Sequence, residues 1–252
     1  MKRFTIAAFV LMFVSVIAVA GDTQWQYDKT TVSKMSAEDL VGSADSFRAA
    51  KNYTDANRLL QEAVRRQPKD AVIVNKLGIN EIQLKDYQGA AGHFKKAIKL
   101  NPQFADALNN LGAVYFLQNN LRGAERYYRK ALALDESRAT FHVNLAATWE
   151  RQNKLNLALA EYQRALELNP DALTSSSSYG AVAQLLTPEQ RASRFFILAK
   201  VCAIRGDIEG SLEYLRKAKE ESYRDLRGVY KQQEFAKLWS DPRLGEIIPN
   251  GK

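Results

Sequence analysis

Cysteine is almost missing from this chain, and its scarcity excludes several kinds of chemistry. The single thiol, Cys202, cannot close an internal disulfide, and it falls at a packed helical position where a small buried hydrophobe is expected. Histidine occurs twice, at His93 and His142. Neither has a cysteine or carboxylate neighbour at ligand spacing, so no metal site is expected; His93 is placed on the outer surface. No glycine-rich phosphate loop and no Gly-x-Ser-x-Gly elbow occurs, and the serine run at 175–178 lacks a companion base. The chain therefore reads as a non-enzyme without a cofactor. Glycine and proline form no tract that would split the 252 residues into independent domains. The formal charge is +8, but the cations are read as interspersed with acids, as at Lys95-Lys96, Arg129-Lys130 and Glu161/Arg164, at second-helix positions that would face solvent. A nucleic-acid surface would show a stripe of one sign with exposed aromatics, so no nucleic-acid partner is expected.

What the chain does contain is a period of 34 residues. Leu77-Gly78, Leu111-Gly112 and Leu145-Ala146 recur at that step. So do Ala56, Ala90, Ala124 and Ala158, and again Ala63, Ala97, Ala131 and Ala165. Between the alanines stands a bulky residue: Leu60, Phe94, Tyr128, Tyr162. Units close on Pro68, Pro102 and Pro170, with Glu136 breaking the pattern. Within 71–104, Val74, Leu77, Gly78 and Ile82 keep helical spacing up to Lys85-Asp86. A second stripe follows at Tyr87, Ala90, Phe94, Ala97 and Ile98. Two short antiparallel helices account for this, with Gly78 opposing Ala90 and Ala97 where the axes approach and Phe94 filling the remaining space. A fixed period of this kind defines a solenoid, in which no unit buries its apolar face alone.

On these residues the chain resembles the tetratricopeptide repeat (TPR) family. The units are 37–70, 71–104, 105–138 and 139–172, with a degenerate fifth from about 192. Repeat three matches best, through Leu108, Leu111, Gly112, Tyr115, Ala124, Tyr128 and Ala131; repeat one departs most, with Ser43-Ala44 in place of Leu-Gly. The resemblance implies an all-α, right-handed solenoid of antiparallel helix pairs. It also implies a role in holding protein partners rather than in catalysis.

The N-terminus bears on location. Met1-Lys2-Arg3 precedes an apolar run from Phe4 to Ala20, interrupted only by Thr5 and Ser15, that ends in Ala18-Val19-Ala20. This is the pattern of a cleaved signal peptide, cut between Ala20 and Gly21. The alternative is an uncleaved anchor, the one case in which a membrane contact is expected. Either way the repeats lie outside the cytoplasm, in a periplasm or secreted. Residues 21–36 read as a linker, and no cysteine follows the run to carry a lipid.

After Pro170 the period slips. An insertion at 173–191 contains Ser175 to Ser178 and reads as a loop, although helix signals resume at Thr187-Pro188-Glu189-Gln190. Residues 192–252 hold the fifth unit and an apolar tail with Tyr230, Phe235, Leu238, Trp239, Leu244 and Ile247. The tail is read as short helices capping the stack, with Trp239 as an alternative partner surface.

The family resemblance also places a groove. First helices line the concave face of a TPR array, and their fifth and sixth positions here are Asn75-Lys76, Asn109-Asn110 and Val143-Asn144. Such amides could meet the backbone of an extended peptide, over an apolar floor of Ile79, Ile82, Phe116 and Ala147. Only Lys76 and Arg151 supply cations, in different places, so a clamp for an acidic C-terminus is not expected. The candidate groove residues are Asn75, Lys76, Ile79, Asn109, Asn110, Phe116, Asn144 and Arg151. The leading expectation is an adaptor that binds a peptide or protein segment. The alternatives are a structural subunit using its convex or cap surface, and an accessory that handles an envelope polymer. Sequence does not set the oligomeric state.

Overall fold

A computed structural model describes residues 27–173 and 187–249, apart from the side chain of Gln190. The expected signal segment and the serine run lie outside the described residues. The chain divides into a unit Met1–Lys34 and a unit Met35–Lys252. In the first, the described part holds one short helix, α1 (Lys29–Lys34). The second holds the repeats.

Those repeats are helix pairs: α2 (Ala37–Ala49) with α3 (Tyr53–Arg66), α4 (Ala71–Gln83) with α5 (Tyr87–Leu100), α6 (Ala105–Leu117) with α7 (Leu121–Leu134), and α8 (Ala139–Arg151) with α9 (Leu155–Leu168). Each first helix begins on the first residue of its 34-residue unit. A fifth pair, α10 (Pro188–Arg205) and α11 (Ile208–Glu220), follows the insertion. Each pair packs internally, and each second helix packs on the first helix of the next pair. The chain is thus an α-solenoid.

The turns inside the pairs explain the break in the apolar pattern. Lys51, Lys85, Asn119 and Asn153 adopt φ of 60°, 62°, 59° and 59°, and Gly206 occupies the same place at 80°. The residue after each one donates its N–H to a carbonyl five positions back, as Asp86 does to Glu81 at 2.9 Å and Asn120 to Tyr115 at 2.8 Å. This left-handed closure satisfies carbonyls at the end of the first helix. That same residue then caps the second helix. Asn52, Asp86, Asn120 and Asp207 each accept a hydrogen bond from the N–H three residues on. Lys154 stands at this place in the fourth pair and makes no such bond.

The core fills the space between helices as the repeat pattern requires. Ala56, Ala90, Ala124 and Ala158 are fully buried, as are Leu60, Phe94, Tyr128 and Tyr162. Gly78 opposes the ring of Phe94 rather than the alanines: a Cβ there would lie 2.7 Å from Cε1. Gly112 stands in the same relation to Tyr128, at 2.8 Å. Glycine is needed at these two places because the ring of the second helix occupies the volume of the missing methyl.

The insertion ends earlier than the loop assignment of 173–191, because α10 starts at Pro188. Beyond α11 two 3₁₀ segments (Leu226–Tyr230 and Gln233–Leu238) and α12 (Pro242–Ile247, capped by Asp241) cover the fifth pair. Val229, Phe235, Leu238, Leu244 and Ile247 join Phe196, Ala199, Leu212 and Leu215 in one buried cluster. Phe235 is therefore core. Trp239 is 39% exposed, and its indole N–H donates to the Val229 carbonyl at 3.0 Å. Among the described residues no helix is long and apolar enough to cross a membrane.

Candidate functional site

First helices of successive repeats touch along one face, α4 with α6 and α6 with α8. Their contacts follow a rule: the sixth residue of one unit reaches back to the preceding first helix. Asn110 donates its amide to Asn75 Oδ1 at 3.1 Å, and Asn144 donates to Asn109 Oδ1 at 2.9 Å. At one end of this ladder Lys76 forms an ion pair with Asp45. At the other end the corresponding residues are Val143 and Ile197, which belong to one buried apolar cluster. The hydrogen-bonded ladder therefore ends at Asn144, and beyond it the corresponding residues are apolar.

This geometry corrects part of the sequence reading. Repeat position alone sets the amides free over an open groove, where removing them would strand nothing. Asn75 is only 5% exposed, and the four asparagines are each other's partners. Asn110 and Asn144 each commit one amide hydrogen to the ladder. Phe116, Ile82 and Ala147 are buried and belong to the core rather than to a floor. Arg151 covers Phe116, with its guanidinium carbon 4.8 Å from the ring centroid, and donates to Asn119 Oδ1 at 2.8 Å. Both candidate cations, Lys76 and Arg151, are thus already engaged. The apolar surface left partly open on this face is Ile79, Ala113 and Leu117. Ala113 and Leu117 are absent from the sequence candidates, yet they lie 34 residues from Ala147 or Ile79 and from Arg151, so the period itself could have found them.

The histidines also differ from expectation. His93 is not a bare surface residue: its Nδ1 donates to Glu81 Oε2 at 2.7 Å, and Glu81 is buried. Glu81 stands where the other repeats carry Phe47, Tyr115 and Trp149, and His93 stands where repeat three carries Tyr127. In that repeat the equivalent pair is a ring stack, Tyr115 on Tyr127, with centroids 5.3 Å apart. An ion pair in repeat two replaces an aromatic pair in repeat three. The Glu81 hydrogen bond raises the His93 pKa against the opposing effect of burial. His142 bonds Glu161 through Nδ1 and the Glu136 carbonyl through Nε2. Burial alone would lower its pKa, but these two acceptors outweigh burial and raise it. Each histidine therefore has a carboxylate neighbour, brought close by the fold rather than by sequence spacing. Among the described residues no cluster of three or more metal-binding side chains occurs. Cys202 is buried, and that burial pushes its thiol pKa up to about 12.

Family models match the repeats directly. A TPR repeat model covers residues 81–119, and two tetratricopeptide repeat models cover 105–138 and 139–172. No curated protein sequence matches the chain. Solved structures share its fold. PilF of Pseudomonas aeruginosa is 15% identical with a TM-score of 0.55, covering 81% of each chain. A thermophilic TPR protein of Thermus thermophilus is 19% identical with a TM-score of 0.54, covering 78% of this chain and 97% of that one. A MamA fragment of Desulfovibrio magneticus is 20% identical with a TM-score of 0.51, covering 73% and 94%. Residues 81–172 are thus matched as tetratricopeptide repeats, which supports a TPR protein. Its fold is that of a protein–protein interaction scaffold.

Proposed function

We propose that this chain is an adaptor outside the cytoplasm that holds an extended peptide or protein segment along the inner face of repeats two to four. The observation that carries the reading is the strip of partly exposed Ile79, Ala113 and Leu117 running beside the amide ladder. Apolar side chains of a ligand would rest on that strip. Asn110 and Asn144 retain an amide oxygen and a second hydrogen for its backbone. With Lys76 and Arg151 engaged inside the fold, the segment would be held by amides and apolar contact rather than by charge.

A photo-crosslinking residue placed at position 113 tests this in cells. Protein adducts are expected, and Ile79→Glu should abolish them while the melting curve of the purified variant stays within a few degrees. Adducts from position 239 but none from 113 would overturn the groove reading. They would favour the structural-subunit alternative, which exposed Trp239 on the cap supports. Export rests on Lys2-Arg3, the apolar run and Ala18-Val19-Ala20. Mass spectrometry of the native chain should find Gly21 at its N-terminus; a retained Met1 would mean an anchor instead.

A further inference from the structure

The second helices of repeats two and three are unusual in charge. α5 carries Lys95, Lys96 and Lys99 and no carboxylate; α7 carries Arg122, Arg126, Arg129 and Lys130 against a single carboxylate, Glu125. Seven cations and one acid on two 14-residue helices account for six of the eight net charges of the whole chain. All seven cations are exposed, on the sides of the helices away from buried Ala90, Phe94, Ala97, Ala124, Tyr128 and Ala131. Glu125 does little to neutralise them, because it accepts from Gln152 at 3.1 Å and Lys154 at 3.4 Å on the next repeat. Of the seven it reaches Arg129, at 3.6 Å. The helices are neighbours: Ile98 of α5 and Tyr127 of α7 pack against the same core clusters. The cations thus form one patch, where the sequence pattern suggests interspersed signs.

Two leucines share this surface. Leu100 and Leu134 occupy equivalent places at the ends of α5 and α7, each 37% exposed and each four residues after a patch lysine, Lys96 and Lys130. Residues four apart share a helix face. Tyr127 offers no stacking platform for a base, because Tyr115 stacks on it and Arg126 and Lys130 lie 4.9 and 5.5 Å from its centroid. A nucleic acid would meet the cations but has nothing to place against the leucines. An anionic bilayer satisfies both, with phosphates at the lysines and arginines and the acyl boundary at the leucines.

We propose that the convex face of repeats two and three docks on anionic phospholipid headgroups, with Leu100 and Leu134 entering the interface. This reading does not depend on the peptide groove, which lies on the other helices of the same repeats. The test is co-sedimentation of the protein, carrying the N-terminus it has in the cell, with phosphatidylcholine vesicles and with equimolar phosphatidylglycerol–phosphatidylcholine vesicles. The quantity read is the ratio of the two affinities, which cancels any contribution from the apolar N-terminal run. The variant K95Q/K96Q/K99Q/R122Q neutralises four exposed cations. The control R216Q/K219Q/R227Q/K231Q removes the same charge from the fifth pair and cap. At about fivefold per cation, the first variant should lose the anionic preference by about a hundredfold or more. The control should keep it, and about 0.5 M salt should abolish it in the wild type. L100S/L134S should weaken anionic binding while leaving all charges in place. Absence of an anionic preference in the wild type overturns the proposal, as does equal loss in the control. If L100S/L134S binds like wild type, or if duplex DNA displaces the vesicles at equal charge, the patch is a general polyanion site and the lipid assignment fails.

Discussion

Tyr128 and Tyr162 occupy the same place in successive repeats and are both fully buried, yet their hydroxyls have different surroundings. Tyr162 donates to Glu150 Oε2 at 2.9 Å, whereas the Tyr128 hydroxyl is buried with no partner among the described residues. Burial alone raises the Tyr128 pKa far above its ordinary range. Phe94, at the same place in repeat two, shows that a bare ring suffices there. Tyr128→Phe removes a buried polar group at no cost in packing, so its stability should equal or exceed that of wild type by up to about 1 kcal/mol. Tyr162→Phe takes a donor from a buried carboxylate and should cost about 1.5–3 kcal/mol. Urea melts of the two variants decide the matter; equal effects would show that the hydroxyls are equivalent.

At the scale of the helix pair, the turn is the most regular device in the molecule, and Lys154 is its exception. It lacks the cap that Asn52, Asp86, Asn120 and Asp207 supply, and its exposed ion pair with Glu125 is worth little. Lys154→Asn should therefore stabilise the fourth pair by about 0.5–1 kcal/mol. The side chain of Leu157 need not prevent this, because Asn52 caps α3 with Asp55 at the corresponding position. A lower thermal midpoint than wild type would show that Lys154 does something the cap cannot replace. These pairs were legible in the sequence because their determinants are local and repeat: alanine where helices meet, a bulky residue between the alanines, a break in the apolar stripe at the turn. The ring that faces glycine was not, because the sequence reading sets Gly78 against the alanines. The inner face was only half legible. Ile82 and Phe116 sit at groove positions by number but are covered by neighbours that differ from repeat to repeat, Arg151 above all. The Glu81–His93 pair was hidden for a related reason. It needs an acid at a place where the pattern leads one to expect an aromatic ring, and its partner is on another helix.

At the scale of the whole molecule, the insertion is the weak point of the stack. α10 touches α9 less extensively than other second helices touch the first helix that follows them. What joins them includes a buried ion pair, Arg194 to Glu150 at 3.2 Å, with side chains 4% and 6% exposed. Removing one partner of such a pair leaves a buried charge and costs about 3–5 kcal/mol. Because each unit depends on its neighbours, Arg194→Ala should uncouple the fifth pair and cap from repeats one to four. Hydrogen exchange should then show 188–249 opening at lower denaturant than 71–168, whereas both are expected to open together in the wild type. A single cooperative transition in the variant would mean that the apolar cluster shared by α8, α9 and α10 suffices to hold the junction.

The amide ladder also sets where this array can lengthen. A unit propagates the ladder only if it carries both an acceptor at its fifth position and a donor at its sixth. Asn109 and Asn110 give residues 105–138 both. Lys76 turns back to Asp45, and Val143 offers no amide to a following unit. A tandem duplication of 105–138 would reproduce every bond of the seam, because its copy would receive Asn144 as the original does now. Duplication of either flanking unit would place an ionic or apolar end inside the seam. Growth by gene duplication is therefore open at the centre of the stack and closed at its margins.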